Sequence, residues 1–277
     1  MPRAALVAIV AALVVVQPAA ARRVYVWQRS GDVHASLSYD VRNDVYRNVR
    51  LEIERAGAKR LSATIPTGCR GCPLAGPAGS DPLAARDLDA DGEPEVLLDM
   101  YTGGAHCCTY TLIYRWRPDA GTYARTRAWW GNAAYRLVDL DRDGQPEFST
   151  FDDRFAYAFT SFAASVDPIR IRRYRHGRLL DVTREFPDRV AADARRVLAA
   201  YRQLRRPPYH EVRGALAAYV GDQYLLGQPT VGWRLVRAAL RRGELARRYA
   251  ELNGGGASGR RYLTALRRFL RRTGYIR

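Results

Sequence analysis

The spacing of apolar side chains changes once along this chain, and that change limits the folds open to it. Ala35, Leu37, Tyr39 and Val41 alternate with His34, Ser36, Ser38 and Asp40, and Val49, Leu51 and Ile53 repeat the pattern. A period of two belongs to strands with one buried face. Beyond Thr183 the period is helical: Val190, Ala194, Val197, Leu198, Tyr201 and Leu204 share one face, behind Asp188 as a candidate N-cap. This order predicts an α+β chain, with an antiparallel β domain over residues 22–183 and an α-helical domain over residues 184–277.

Further strands are predicted at 95–101, 107–116, 122–130, 135–140, 147–151, 156–162 and 169–174, where Tyr, Val, Phe and Thr dominate. The first helix stops at Pro207-Pro208. A second is predicted over about 211–226, closed by Gly227 and Pro229, and a third over about 232–242. A fourth ends before Gly254, and a last one covers about 259–273. In that last helix Tyr262, Leu263, Leu266, Phe269 and Leu270 lie opposite Arg260, Arg261, Arg267, Arg268, Arg271 and Arg272, a pattern that suits a core-facing helix or one lying on a membrane.

Residues 1–21 read as a secretory leader: a basic start at Arg3, an apolar run from Ala4 to Val16, and small residues at Ala19 to Ala21. The apolar run is shorter than the roughly 20 residues that span a bilayer. The formal charge of +17 is unevenly placed: residues 168–277 hold 26 arginines and eight acids, and the rest of the chain is close to neutral. Lys59 is the only lysine. That preference is as well explained by a GC-rich genome as by a partner, and export argues against specific nucleic-acid binding. Anionic envelope polymers or lipid headgroups are the partners such a face would meet.

Four cysteines, Cys69, Cys72, Cys107 and Cys108, form an even set, which in an exported chain reads first as two disulfides. Neighbours on a strand point to opposite faces, so bridges from the Cys69–Cys72 loop to Cys107 and Cys108 are favoured over a Cys107–Cys108 bond. The rival is a metal site built on Cys69, Cys72 and His106.

Two nine-residue segments carry the chemistry. Asp87-Leu-Asp89-Ala-Asp91-Gly92-Glu93-Pro-Glu95 and Asp139-Leu-Asp141-Arg-Asp143-Gly144-Gln145-Pro-Glu147 begin 52 residues apart and place acids at positions 1, 3, 5 and 9. Hard cations such as calcium take six to eight oxygen ligands, which this pattern supplies around a glycine turn. An EF-hand would need an acid at position 12, where Leu98 and Thr150 stand. The competing reading is a pair of acidic Asp-Gly turns that hold no metal.

Asp-x-Asp-x-Asp-Gly-x-Pro-Glu before a strand resembles the FG-GAP or VCBS-type repeats of integrin-like propellers, closely over the two loops and loosely over residues 80–183. The resemblance implies two calcium sites. Asp87, Asp89, Asp91 and Glu95 would be side-chain ligands of one, with the Glu93 backbone carbonyl; Asp139, Asp141, Asp143 and Glu147 would form the other, with the Gln145 carbonyl. Position 9 is Glu where such loops usually have Asp. At one repeat per 52 residues there is room for about three blades, fewer than the four to eight of a closed propeller. A partial or propeller-like β unit is therefore expected.

The segment from Tyr101 to Thr109 resembles one found in uncharacterised exported bacterial proteins. Nucleophile-elbow, phosphate-loop and zincin motifs are missing from the sequence. The expectation is a secreted, non-catalytic, calcium-binding protein of the envelope or extracellular space. The alternatives are an extracellular hydrolase using His106 with Asp152 or Asp153, and a peripheral binder of anionic polymers or lipids through the C-terminal arginines.

Overall fold

The computed structural model describes residues 21–43, 45–67, 74, 81–104, 107–252 and 255–277. Residues 1–20 of the leader, Cys69, Cys72, His106 and the side chain of Cys107 lie outside the described residues. Three consecutive antiparallel meanders make up the β region. The first contains β1 (Arg22–Ser30), β2 (Val33–Arg42), β3 (Val45–Arg55) and β4 (Ala58–Thr64). The second contains β5 (Leu83–Arg86), β6 (Glu95–Gly104), β7 (Cys107–Arg117) and β8 (Thr122–Gly131), and the third β9 (Arg136–Val138), β10 (Glu147–Phe151), β11 (Ile169–Arg175) and β12 (Arg178–Asp181).

The middle sheet is covered on both faces. Val96, Leu98 and Met100 pack against Leu37, Leu51 and Ile53 of the first sheet, while Leu97, Ile113 and Trp130 pack against Tyr135, Phe148 and Tyr174. Alternate residues of β6 thus enter two different cores, which is why this strand reads as an unbroken apolar run. Cys108 is buried in β7 and disulfide-bonded. Among the described residues the sheets form neither a closed barrel nor a propeller.

The C-terminal part is helical: α1 (Pro187–Leu204), α2 (Arg213–Leu225), α3 (Pro229–Arg241), α4 (Arg247–Leu252) and α5 (Gly259–Arg272). Leu216 and Val220 of α2, Val197 of α1, Val236 of α3 and Leu266 of α5 meet in one core. The apolar stripe of α5 is buried there through Tyr262, Leu266, Phe269 and Leu270, and its six arginines are exposed. Burial of that stripe against the other helices leaves no apolar face of α5 to lie in a membrane.

Three local expectations are corrected. The predicted strand at 156–162 is a turn and a run of bends between the 3-10 turns Asp153–Phe155 and Phe162–Ala164, because Phe155 and Phe159, four residues apart, both enter the helical core while Tyr157 turns outward. Pro229 begins α3 instead of closing α2, since its fixed φ suits the first turn of a helix. Pro187 does the same for α1. Phe186 therefore occupies the cap, and Asp188 falls inside the first turn, where its charge still faces the positive end of the helix dipole.

Candidate metal centre

Each acidic segment joins the first two strands of a meander: loop 1 (Asp87 to Glu95) links β5 to β6, and loop 2 (Asp139 to Glu147) links β9 to β10. The two backbones are built alike. Position 4 is left-handed in both, at Ala90 (φ 55°) and Arg142 (φ 65°), and so is position 6, at Gly92 (φ 84°) and Gly144 (φ 91°). A residue with φ near 90° is strained unless it is glycine, which accounts for the Gly in both copies.

The acids then hold the loops by hydrogen bonds to their own amides. The first aspartate accepts from the amide of position 6: Gly92 N to Asp87 Oδ2 is 2.9 Å, and Gly144 N to Asp139 Oδ2 is 3.0 Å. The aspartate at position 5 accepts from position 7, Glu93 N to Asp91 Oδ1 at 2.9 Å and Gln145 N to Asp143 Oδ1 at 2.8 Å. The closing glutamate accepts from position 2, with Leu88 N to Glu95 Oε2 and Leu140 N to Glu147 Oε2 both at 3.0 Å. Asx turns and reciprocal amide bonds thus shape the loop before any ion enters.

What remains of each carboxylate differs between the loops. In loop 1, Asp87 Oδ1, Asp89 Oδ1 and Glu95 Oε1 are buried with no hydrogen-bond partner. The same three residues bring ligand atoms within 4.8 Å of one another, and so do Asp89, Asp91 and His176. Glu95 is fully buried, and the turn between β11 and β12 overlies the loop, with His176 N donating to Asp89 Oδ2 at 2.8 Å. Burial, reinforced by Asp89, Asp91 and Asp87, pushes the Glu95 carboxyl up to about 8. Crowded, desolvated carboxylates of this kind are unfavourable unless a proton or a cation joins them. Arg115 of β7 donates to Asp91 Oδ2 at 3.2 Å but stands 3.9 Å from Glu95 Oε1. Glu93 turns its side chain away to Arg55 of β3.

Loop 2 is more open, and its carboxylates are engaged. Arg173, paired across the sheet with Glu147, places Nη2 at 2.7 Å from Glu147 Oε1 and 2.8 Å from Asp141 Oδ2. Its Nη1 reaches Glu185, just before α1, at 3.1 Å. Asp139, Asp141 and Glu147 also cluster closely enough to hold a metal.

Arg115, Arg173 and His176 lie far from the loops in sequence; strand pairing brings in the two arginines, and packing of the third sheet against the second brings in His176. Arg173 sits opposite Glu147 in the β10–β11 register, a fact no local motif could disclose. His176 has an exposed side chain and touches loop 1 mainly through its backbone.

The acids proposed for hydrolysis are occupied in structural bonds. Asp152 accepts two bonds from the Arg154 guanidinium, at 2.7 and 2.5 Å, one from the Arg154 amide at 3.3 Å and one from the Tyr275 hydroxyl at 3.0 Å. Asp153 accepts from Asn132 N at 2.7 Å.

Fold and site together describe a mixed β–α chain with two acid-lined hairpins in adjoining sheets. Against known proteins, residues 190–274 match the family described as the sll0997 C-terminal domain. The chain is 29% identical over 224 residues to "Probable thylakoid lumen protein sll0997" of Synechocystis sp., covering 74% of this chain and 60% of that protein. It is also 29% identical over 149 residues to "Uncharacterized protein y4bJ" of Sinorhizobium fredii, covering 53% of this chain and 23% of that protein. The chain therefore spans less than two thirds of either relative. No solved structure matches.

These matches overturn the resemblance to FG-GAP or VCBS repeats, because the likeness found is to sll0997-type proteins and to no such repeat family. The physical reason is local. Asp-x-Asp-x-Asp-Gly is a turn with side-chain clips that any strand-to-strand hairpin can adopt, so it does not carry a propeller with it.

Proposed function

We propose that this chain is an exported, non-catalytic protein whose β region is held in shape by a calcium ion at loop 1. The observation that carries the reading is the set of three buried, unpartnered oxygens on Asp87, Asp89 and Glu95. Buried polar atoms without partners are rare in native proteins, and three facing carboxylate oxygens are the donor set of a hard cation. The Glu93 carbonyl and water would complete the shell. The likeness to a protein named for the thylakoid lumen, a compartment reached by translocation, supports export, as does the leader-like start of the sequence.

The ion's role is to neutralise a site formed at the meeting of three sheets. Arg55 of the first sheet holds Glu93, the middle sheet supplies the loop, and the third supplies His176. With a site affinity of about 10⁻⁴ M and calcium at about 1 mM, binding adds on the order of 1.4 kcal/mol to stability. Thermal melting of the purified chain in calcium, magnesium and chelator tests this. A calcium-specific rise that Glu95→Gln abolishes is expected, and equal melting in all three conditions would refute the reading.

A further inference from the structure

We propose that loop 2 carries its own cation: the guanidinium of Arg173 sits where an ion would sit, so the chain takes up one calcium, at loop 1, and not two. This rests on the calcium reading of loop 1. The loops share their turn geometry, their amide clips and their acid positions, so a difference in ion uptake must come from what surrounds them. In loop 1, Asp87 Oδ1, Asp89 Oδ1 and Glu95 Oε1 are buried without a hydrogen-bond partner, and Arg115 comes no nearer to Glu95 than 3.9 Å. In loop 2, Glu147 and Asp139 have both carboxylate oxygens engaged, Glu147 Oε1 by Arg173 and Asp139 Oδ1 by the amide of Asp143 at 3.2 Å, and Arg173 also holds Asp141 Oδ2.

Comparison with Arg115 shows that an arginine nearby is not sufficient. Val96 pairs with Tyr114, so Arg115 follows opposite Glu95 as Arg173 lies opposite Glu147. Arg115 nevertheless turns to Asp91 and stays 3.9 Å from Glu95. Position 3 differs as well. Asp89 is covered by His176 from the neighbouring sheet, whereas Asp141 is open and available to Arg173.

A guanidinium in this place has consequences an ion would not. It is permanently charged, it donates in a planar fork matched to carboxylates, and no chelator removes it. Through Glu185 it also ties loop 2 to the entry of the helical region. Loop 1 thereby becomes the calcium-dependent joint and loop 2 the permanent one.

The test is a count of ions per chain on chelator-stripped protein, by equilibrium dialysis against calcium and by native mass spectrometry. One ion is expected for the wild type and two for Arg173→Gln, because removing the guanidinium frees the second set of oxygens. Two ions in the wild type, or one in a folded Arg173→Gln, would overturn the inference and leave the reading of loop 1 standing. No calcium in the wild type would overturn that reading and the inference with it. Should Arg173→Gln fail to fold, the Nε–H resonance of Arg173 in the wild type decides. It is expected to stay at its ion-paired position as calcium saturates, and a shift that tracks a second binding step would overturn the proposal.

Discussion

Asp99 shows how far the middle sheet's burial perturbs a single carboxyl. It points from β6 into the core shared with the third sheet, where the hydroxyls of Thr111 and Tyr135 donate to it and Trp130 Nε1 in turn donates to Thr111 at 2.8 Å. Burial outweighs these donors and pushes its pKa up to about 7 from 3.8. Between those values the folded state holds a proton that the unfolded chain has released, so stability falls as pH rises through this window. Asp99→Asn should flatten the slope of stability against pH between about 4 and 7 by roughly one proton, about 1.4 kcal/mol per pH unit. Urea melts across that range would show it, and an unchanged slope would contradict the assignment. Gly131 makes a second residue-scale demand. Its φ is +66°, and a Cβ there would lie 1.9 Å from Asp153 Oδ2. Gly131→Ala should cost about 1–3 kcal/mol by chemical denaturation. Neither effect was legible in sequence: Asp99 interrupts an apolar run without a sign of its partners, and the neighbour of Gly131 comes from 22 positions away.

At the scale of elements, the helices were legible because their stripes are regular, while what each stripe faces was not. The amphipathic pattern of α5 is open to a core-facing or a membrane-surface reading, with the core favoured in a chain of several helices, and the structure packs Leu266 and Phe269 with Phe155 and Phe159. Leu266→Ala should therefore lose about 2–5 kcal/mol. Arg268→Gln and Arg271→Gln, on the exposed face, should change stability by less than about 0.5 kcal/mol. Comparable losses at both faces would contradict this packing. The close approach of α2 and α3 was also invisible beforehand. Gly232 sits so near α2 that a Cβ would lie 3.1 Å from the Cα of Val220. Gly232→Leu is expected to lower the melting temperature markedly, by forcing the two helices apart. The strand predicted at 156–162 failed for a related reason: its alternation was real, but the turns follow the helical core that claims Phe155 and Phe159.

For the whole molecule, the change of period near Thr183 and the twin acidic loops were both readable from the residues, since each is a local pattern of a few side chains. The stacking of three meanders, with the middle one buried on both faces, was not, because it depends on contacts between sheets that no local spacing encodes. The same limit hides what separates the two loops: each has an arginine opposite its closing glutamate, but Arg173 bridges Glu147 and Asp141 while Arg115 turns to Asp91 and stays 3.9 Å from Glu95. The family match falls on the helical part, residues 190–274, so the loops must be judged on their own geometry. The most direct measurement is the melting temperature of the chelator-stripped chain with and without about 1 mM calcium, for wild type and for Glu95→Gln. Stabilisation of about 1.4 kcal/mol corresponds to a rise of roughly 3–5 °C for a chain of this size. That rise is expected in the wild type and absent in Glu95→Gln. A wild-type protein that melts at the same temperature in calcium and in chelator would contradict the central claim.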